Sequence, residues 1–305
     1  MRCFYSSDLD FNLPVNHPFP QDKFSVSRDM LLQNGTLRPE EIIDVSQTDF
    51  NMLKQVHDDT YLAKIYHGAL DRREQIALGL PADDKLFARC ATEVEATRQT
   101  CHAALIEGIA VCLAGGTHHA FKGRGESFSV FNDVAIAVRN LQEQKPGIRI
   151  MVIDTAATQG NGTNSILSDD PNVFTYSIHV GQAANTNTRV NGNIDVETVR
   201  YVEGDMYLNQ LFTTLAGALD SFSPDLVIWV AGADTHANDL LGNMMLSVAD
   251  IQRRDDVIIR AFIKNRIPLA ILYGSGCNRQ AELTAKLHRN TVASAKKIAS
   301  EYDKI

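Results

Sequence analysis

Cysteine is scarce in this 305-residue chain and scattered, at positions 3, 90, 101, 112 and 277, with no Cys-x-x-Cys pair. That spacing excludes a disulfide framework and a structural zinc knuckle, and it makes a reducing cytoplasm the expected compartment. Long apolar runs are lacking too. Nothing approaches the roughly 20 residues of a membrane span, and Met1-Arg2-Cys3-Phe4-Tyr5 passes at once into polar residues, so no signal-peptide core is expected. Basic residues are outnumbered, 29 against 37 acidic, for a net charge of -8. Neither nucleic acid nor an anionic membrane is an expected partner of such a surface. No Pro/Ser-rich tract, charge block or internal repeat interrupts the chain, so one domain over residues 1–305 is expected, with 44% hydrophobic residues to fill its core.

What the chain does have is alternation. Residues 109–113, 150–154, 173–179, 226–231 and 269–273 are almost continuously apolar, the pattern of parallel strands covered on both faces. Residues 84–106, 133–143, 197–219, 248–264 and 280–301 have the spaced apolar positions of amphipathic helices. Strand followed by helix, repeated, implies an α/β fold of three αβα layers around a mainly parallel sheet. Such sheets bind ligands outside the carboxyl ends of their strands, and His118, Asp154, Asp234 and Cys277 fall at or just past such ends.

Four segments carry chemistry. The first, Gly115-Gly116-Thr117-His118-His119-Ala120-Phe121, is followed by Phe128-Ser129-Val130-Phe131-Asn132-Asp133. The second runs from Ile148 to Asp154 and on to Gly160-Asn161-Gly162-Thr163, the third from Asp225 through Trp229 to Asp234, and the fourth ends in Gly274-Ser275-Gly276-Cys277. Imidazoles exchange protons near neutral pH, and a carboxylate partner fixes their tautomer. Glycines at such loops permit positive φ and close approach of backbone to a ligand. Elsewhere the reading is structural: Asp58-Asp59 after His57 as helix capping, Asp83-Asp84 and Arg253-Arg254-Asp255-Asp256 as solvated helix faces, and residues 185–193 as a loop.

In this order and at these spacings the segments resemble the histone deacetylase family, most closely its class IV and bacterial members, over nearly the whole chain. The resemblance implies an arginase-like three-layer fold. It makes His118 and His119 the two catalytic histidines, with Asp154 orienting the first and Asn161 the second. It runs the acyl channel past Gly116, Phe128 and Ser275, with Ser127 and Ser275 standing where small glycines are common, and it matches His57-x-x-x-Tyr61 to an early helix start. In that family an aspartate and a histidine two residues apart bind zinc with a later aspartate, and a tyrosine in the glycine-rich loop polarises the acyl carbonyl. Here those four positions read Ala156, Thr158, Asp234 and Cys277. His179 and His236 match family histidines outside the zinc shell.

A catalytic zinc usually takes three protein donors and keeps a fourth position for water. With Asp234 as the remaining family ligand, no cofactor is expected, or zinc if other residues complete the site. Bound zinc is what brings water towards ionisation at neutral pH, and loss of one oxyanion donor alone typically costs about 100-fold to 1000-fold. Three readings follow, in this order. The first is a binding protein for a small molecule or an acyl-lysine-like ligand, impaired as a zinc deacetylase. The second is a metal-independent enzyme using the His118/His119 pair, with Cys277 as a nucleophile if its thiolate is stabilised. The third is a deacylase with a rearranged metal site. Cys277 is shorter than a tyrosine, and a small inert side chain is the expectation for it. The sequence leaves the oligomeric state open.

Overall fold

The four motif strands end on one line. In the computed structural model, which describes residues 1–14, 16–181, 188–278 and 280–302, the eight strands found among those residues form one sheet. They are β1 (Cys3–Tyr5), β2 (Ile42–Asp44), β3 (Ile109–Cys112), β4 (Ile150–Asp154), β5 (Val173–Val180), β6 (Ile194–Thr198), β7 (Leu226–Val230) and β8 (Leu269–Leu272). Every pairing is parallel and the order is β2-β1-β3-β8-β7-β4-β5-β6. At the centre, Cys112 is level with Leu272, Leu272 with Val230, and Val230 with Asp154. Each of these is the last residue of its strand, so four loops distant in sequence leave the sheet side by side.

Helices cover both faces. They are α1 (Lys23–Gln33), α2 (Phe50–Leu53), α3 (Asp59–Tyr66), α4 (Arg72–Leu78), α5 (Leu86–Glu107), α6 (Asp133–Gln144), α7 (Asn161–Leu167), α8 (Gly204–Ser221), α9 (Val248–Lys264) and α10 (Ala281–Tyr302). A run of touching helices, α5 to α6 to α7, packs on one face; α1, α10, α9 and α8, each against the next, pack on the other. The central strands are therefore buried on both sides, which is why they read as unbroken apolar runs. One core cluster extends from Cys3 to Ile298. Trp229 in β7 is fully buried at its centre and donates its indole N–H to Thr155 Oγ1 at 3.0 Å. Removing that much aromatic surface from water is worth about 4–6 kcal/mol. No helix among the described residues is long and apolar enough to cross a membrane.

Two sequence expectations need correction. Residues 197–219 do not form one helix: Ile194–Thr198 is the edge strand β6, paired with β5, and α8 begins only at Gly204. The apolar alternation of Ile194 and Val196 was masked by the polar residues between them on a half-exposed edge. Arg254 and Asp255 are not on a solvated face. Both are fully buried and ion-paired, with Arg254 Nη1 donating to Gly232 O at 2.7 Å and Asp255 accepting from the Thr291 hydroxyl at 2.6 Å. The Asp58-Asp59 reading holds in position, with Asp58 at the N-cap of α3 and Asp59 in its first turn, although Asp58 makes no side-chain capping bond and Asp59 pairs with Lys54 at 3.1 Å.

Candidate functional site

The loop after β3 is held from below mainly by one carboxylate, with Glu93 Oε1 also accepting from Gly115 N at 3.2 Å. Asp133, in the first turn of α6, accepts from Gly116 N at 2.8 Å, Thr117 N at 2.8 Å, the Thr117 hydroxyl at 2.7 Å and the Thr97 hydroxyl. Its neighbour Asn132 caps α6 by accepting from Ala135 N and donates to Ala120 O at 2.9 Å, while Asn132 N donates to His57 Nε2 at 2.9 Å. Sequence reasoning did not single these two out as site residues. Their signal was there, an Asn-Asp pair opening a helix after an apolar run. Gly116 has φ +82, and a Cβ on it would lie 2.9 Å from Gly274 Cα, so only glycine lets the β3 and β8 loops touch.

That clamp presents the two histidines. His118 Nδ1 donates to Asp154 Oδ2, and Asp154 Oδ1 is occupied by Ala156 N at 2.9 Å. His119 Nδ1 donates to Asn161 Oδ1 at 2.7 Å, and Asn161 is itself fixed by donating Nδ2 to Thr188 O at 2.9 Å. The rings lie 4.1 Å apart, centroid to centroid. Their environments pull in opposite directions. Burial opposes charge on His118, but the Asp154 carboxylate beside it raises its pKa above the ordinary value. Burial, reinforced by the charge of His118, holds His119 well below. His119 is thus the neutral imidazole, and its Nε2 lone pair accepts from the Thr158 hydroxyl at 3.1 Å.

Around the remaining carboxylate the donors thin out. Asp234 is buried, which raises its pKa, and its Oδ1 accepts from Ala157 N at 2.9 Å. Ala156 offers a methyl group packed so closely that a Cβ on Gly232 would lie 2.7 Å from Ala156 Cα. Thr158 offers a neutral hydroxyl already committed to His119. Neither His179 nor His236 lines the cavity described below: His179 Nδ1 pairs with Ser177 Oγ, and His236 Nδ1 accepts from Asn238 N. Among the described residues no group of three or more His, Cys, Asp or Glu side chains is arranged to hold a metal ion. The donor set at this position does not fit a tetrahedral zinc site.

These groups open into a cavity of about 570 Å³. Gly116, His118, His119, Phe128, Asp234, Ser275 and Cys277 all line it; Asp154 and Asn161 stand behind the histidines, outside the lining. Phe128 is pinned into the wall by backbone bonds from Ser127 N and Phe128 N to α4 carbonyls, with both residues at positive φ (47 and 69). Burial pushes the Cys277 thiol up to about 12, and its main-chain N–H donates to Asp239 Oδ2 at 2.6 Å. Asp239 is raised to about 7 by burial and by Asp234. Of the loop expected at 185–193, residues 185–187 lie outside the described residues; 188–193 carry no regular structure and are tied to the site by the side-chain amides of Gln159, Asn161 and Asn164. Lys23, at the start of α1, also lines the cavity and was not singled out in the sequence.

Comparison with known proteins gives a consistent picture. A family model described as the histone deacetylase domain matches residues 17–293. An uncharacterised protein of Picosynechococcus sp. is 34% identical over 272 residues, 89% of this chain and 90% of that protein. Histone deacetylase 2 of Arabidopsis thaliana is 28% identical over 90% of this chain and 74% of its own length. The acetoin utilization protein AcuC of Staphylococcus xylosus is also 28% identical, over 77% of this chain and 66% of its own. Among solved structures, a histone deacetylase homologue complexed with SAHA superposes with a TM-score of 0.79 at 18% identity, covering 100% of this chain and 88% of that one. The HD domain of HDA15 superposes with a TM-score of 0.78 at 17% identity.

Proposed function

Because the chain belongs to the histone deacetylase family, we propose that it acts as a binding protein for an acylated amine of the acyl-lysine type, impaired as a zinc hydrolase, with residues 1–305 working as one cytoplasmic unit. The observation that carries this reading is the Thr158–His119 hydrogen bond beside Ala156. The two positions that would furnish a second and third metal donor hold a methyl group and a hydroxyl. That same hydroxyl occupies the lone pair with which His119 would take a proton from water. The cavity has an apolar Phe128 wall and a histidine pair, which is what recognition of an acylated side chain requires. A related structure's complex with a small molecule, SAHA, supports a ligand-accepting cavity in this fold.

A second reading is favoured by one observation, the opposite displacement of the two imidazoles, which is the arrangement of an acid beside a base. In it His118 and His119 move protons without a metal. Cys277 does not join them as a thiolate nucleophile, because burial keeps its proton on.

Three measurements on protein purified without chelator test the proposal. Metal analysis is expected to give far less than one zinc per chain, an acetyl-lysine peptide is expected to remain unhydrolysed, and the same peptide is expected to raise the melting temperature of wild type but not of His118→Ala. One zinc per chain, lost in Asp234→Ala and accompanied by release of acetate, overturns it.

A further inference from the structure

Among the described residues Lys23 is the one lysine lining the cavity, and its position is chemically unusual. The residue is only 1% exposed, and among the described residues its Nζ makes a single hydrogen bond, to the carbonyl oxygen of Gly274 at 3.3 Å. Among the described residues it forms no ion pair. The nearest acidic groups are engaged elsewhere: Glu93 pairs with Arg89 at 3.1 Å, Asp239 accepts three main-chain N–H groups, and Asp234 accepts from Ala157. Cys277 keeps its thiol proton, and His288, beneath the glycine-rich loop, is neutral.

An ammonium in that place has lost its water and gained no counter-ion. The effective penalty for burying such an ion is several kcal/mol. Its partial compensation comes from two ring faces, Phe19 at 4.5 Å and Phe24 at 5.0 Å. Cation–π attraction of this kind falls short of the desolvation penalty, and burial lowers the lysine's pKa below its ordinary value. A neutral amine donating one N–H to a carbonyl still has its lone pair. Held at a cavity wall between aromatic faces, that lone pair is a nucleophile.

We propose that Lys23 is a carbonyl-reactive amine, and that this cavity captures a small aldehyde or ketone as an imine on its Nζ. The nitrogen lone pair attacks the carbonyl carbon, a C–N bond forms as the C–O π bond opens, and a proton passes from nitrogen to oxygen. The resulting carbinolamine loses its hydroxyl together with the remaining N–H proton as water, leaving C=N. No electron is transferred and no metal is needed, so the inference goes beyond acyl-lysine binding and does not depend on it.

The probe is propanal with sodium cyanoborohydride at pH 7, which supplies the hydride that turns the imine into a stable secondary amine, read by peptide mass mapping of wild-type protein. An exposed lysine of pKa about 10.4 is unprotonated roughly once in 2500 molecules at this pH. The Lys23 peptide is therefore expected to gain the propyl mass first, at least about tenfold faster than any other lysine, and Lys23→Arg and Lys23→Met are expected to abolish that fast phase. Labelling of Lys23 at the rate of surface lysines, or no labelling while they react, overturns the proposal. Because the comparison is internal to wild type, it holds even if a variant fails to fold, and loss of acetyl-lysine binding would leave it unaffected.

Discussion

At residue 118 burial opposes charge on the imidazole, yet its pKa stands above the ordinary value because the Asp154 carboxylate faces its Nδ1. Asp154→Asn removes that charge and leaves desolvation unopposed, so the His118 titration followed by NMR is expected to move from above the ordinary value of about 6.5 to below it. An unchanged titration would mean that some other group supports the imidazolium. Ala156 and Thr158 make the complementary case. Restoring donors with Ala156→Asp and Thr158→His together gives Asp234 two partners, and zinc binding by calorimetry is expected to tighten by at least about 1000-fold over wild type, since structural zinc sites are worth on the order of 10 kcal/mol. Either substitution alone is expected to give a small part of this. The pairing of His118 with Asp154 and of His119 with Asn161 was legible in the sequence because motif order brings those residues together. Lys23, Asn132 and Asp133 were not. Their roles depend on α1 and α6 folding back against loops about 250 and 16 residues away in sequence, and a lone lysine or a helix-opening Asn-Asp is common in any chain.

At the scale of elements, α9 carries a fault line that its sequence conceals. Its Arg253-Arg254-Asp255-Asp256 run has the composition of a wet face, yet a helix turns about 100° per residue, and the middle two face inward. Arg254 bonds Gly232 O in the loop leading to Asp234, so this buried pair braces the site from behind. Removing one partner of a buried pair strands the other charge. Asp255→Ala is expected to destabilise the fold by about 3–5 kcal/mol in urea unfolding, whereas replacing both with apolar residues of similar size is expected to recover much of the loss. Arg253→Ala, at the exposed position beside it, is expected to change little. Central strands were readable to within about two residues because burial on both faces leaves nothing but apolar side chains. The edge strands β2 and β6, and the short inner strand β1, were not, being three residues long or half-exposed, so that neither run length nor alternation separates them from loop.

Across the whole molecule, folding buries imidazoles that the unfolded chain would protonate. His57 is the clearest, far from the cavity's carboxylates, with Nδ1 on Lys122 O at 3.1 Å and Nε2 accepting from Asn132 N, and burial lowers its pKa to about 4. A base depressed in the folded state contributes stability that is fully present above the unfolded pKa of about 6.5 and is lost as pH falls towards the folded value. Over the window from 6.5 to about 4 the loss is about 3 kcal/mol. Other groups pull the opposite way: raised His118 stabilises below 6.5 and loses that as pH rises through its folded value, and Asp239, raised to about 7, favours the fold most when protonated. The absolute pH profile therefore mixes signs, and a paired measurement isolates one. His57→Gln keeps an acceptor for Asn132 N and removes the proton site, so its deficit relative to wild type, taken from urea unfolding at pH 7, 5.5 and 4, is expected to shrink by about 3 kcal/mol across the series. A deficit that stays constant would mean His57 is equally protonated in both states, and that the link from α3 through His57 to the histidine loop does not set the acid limit of the fold.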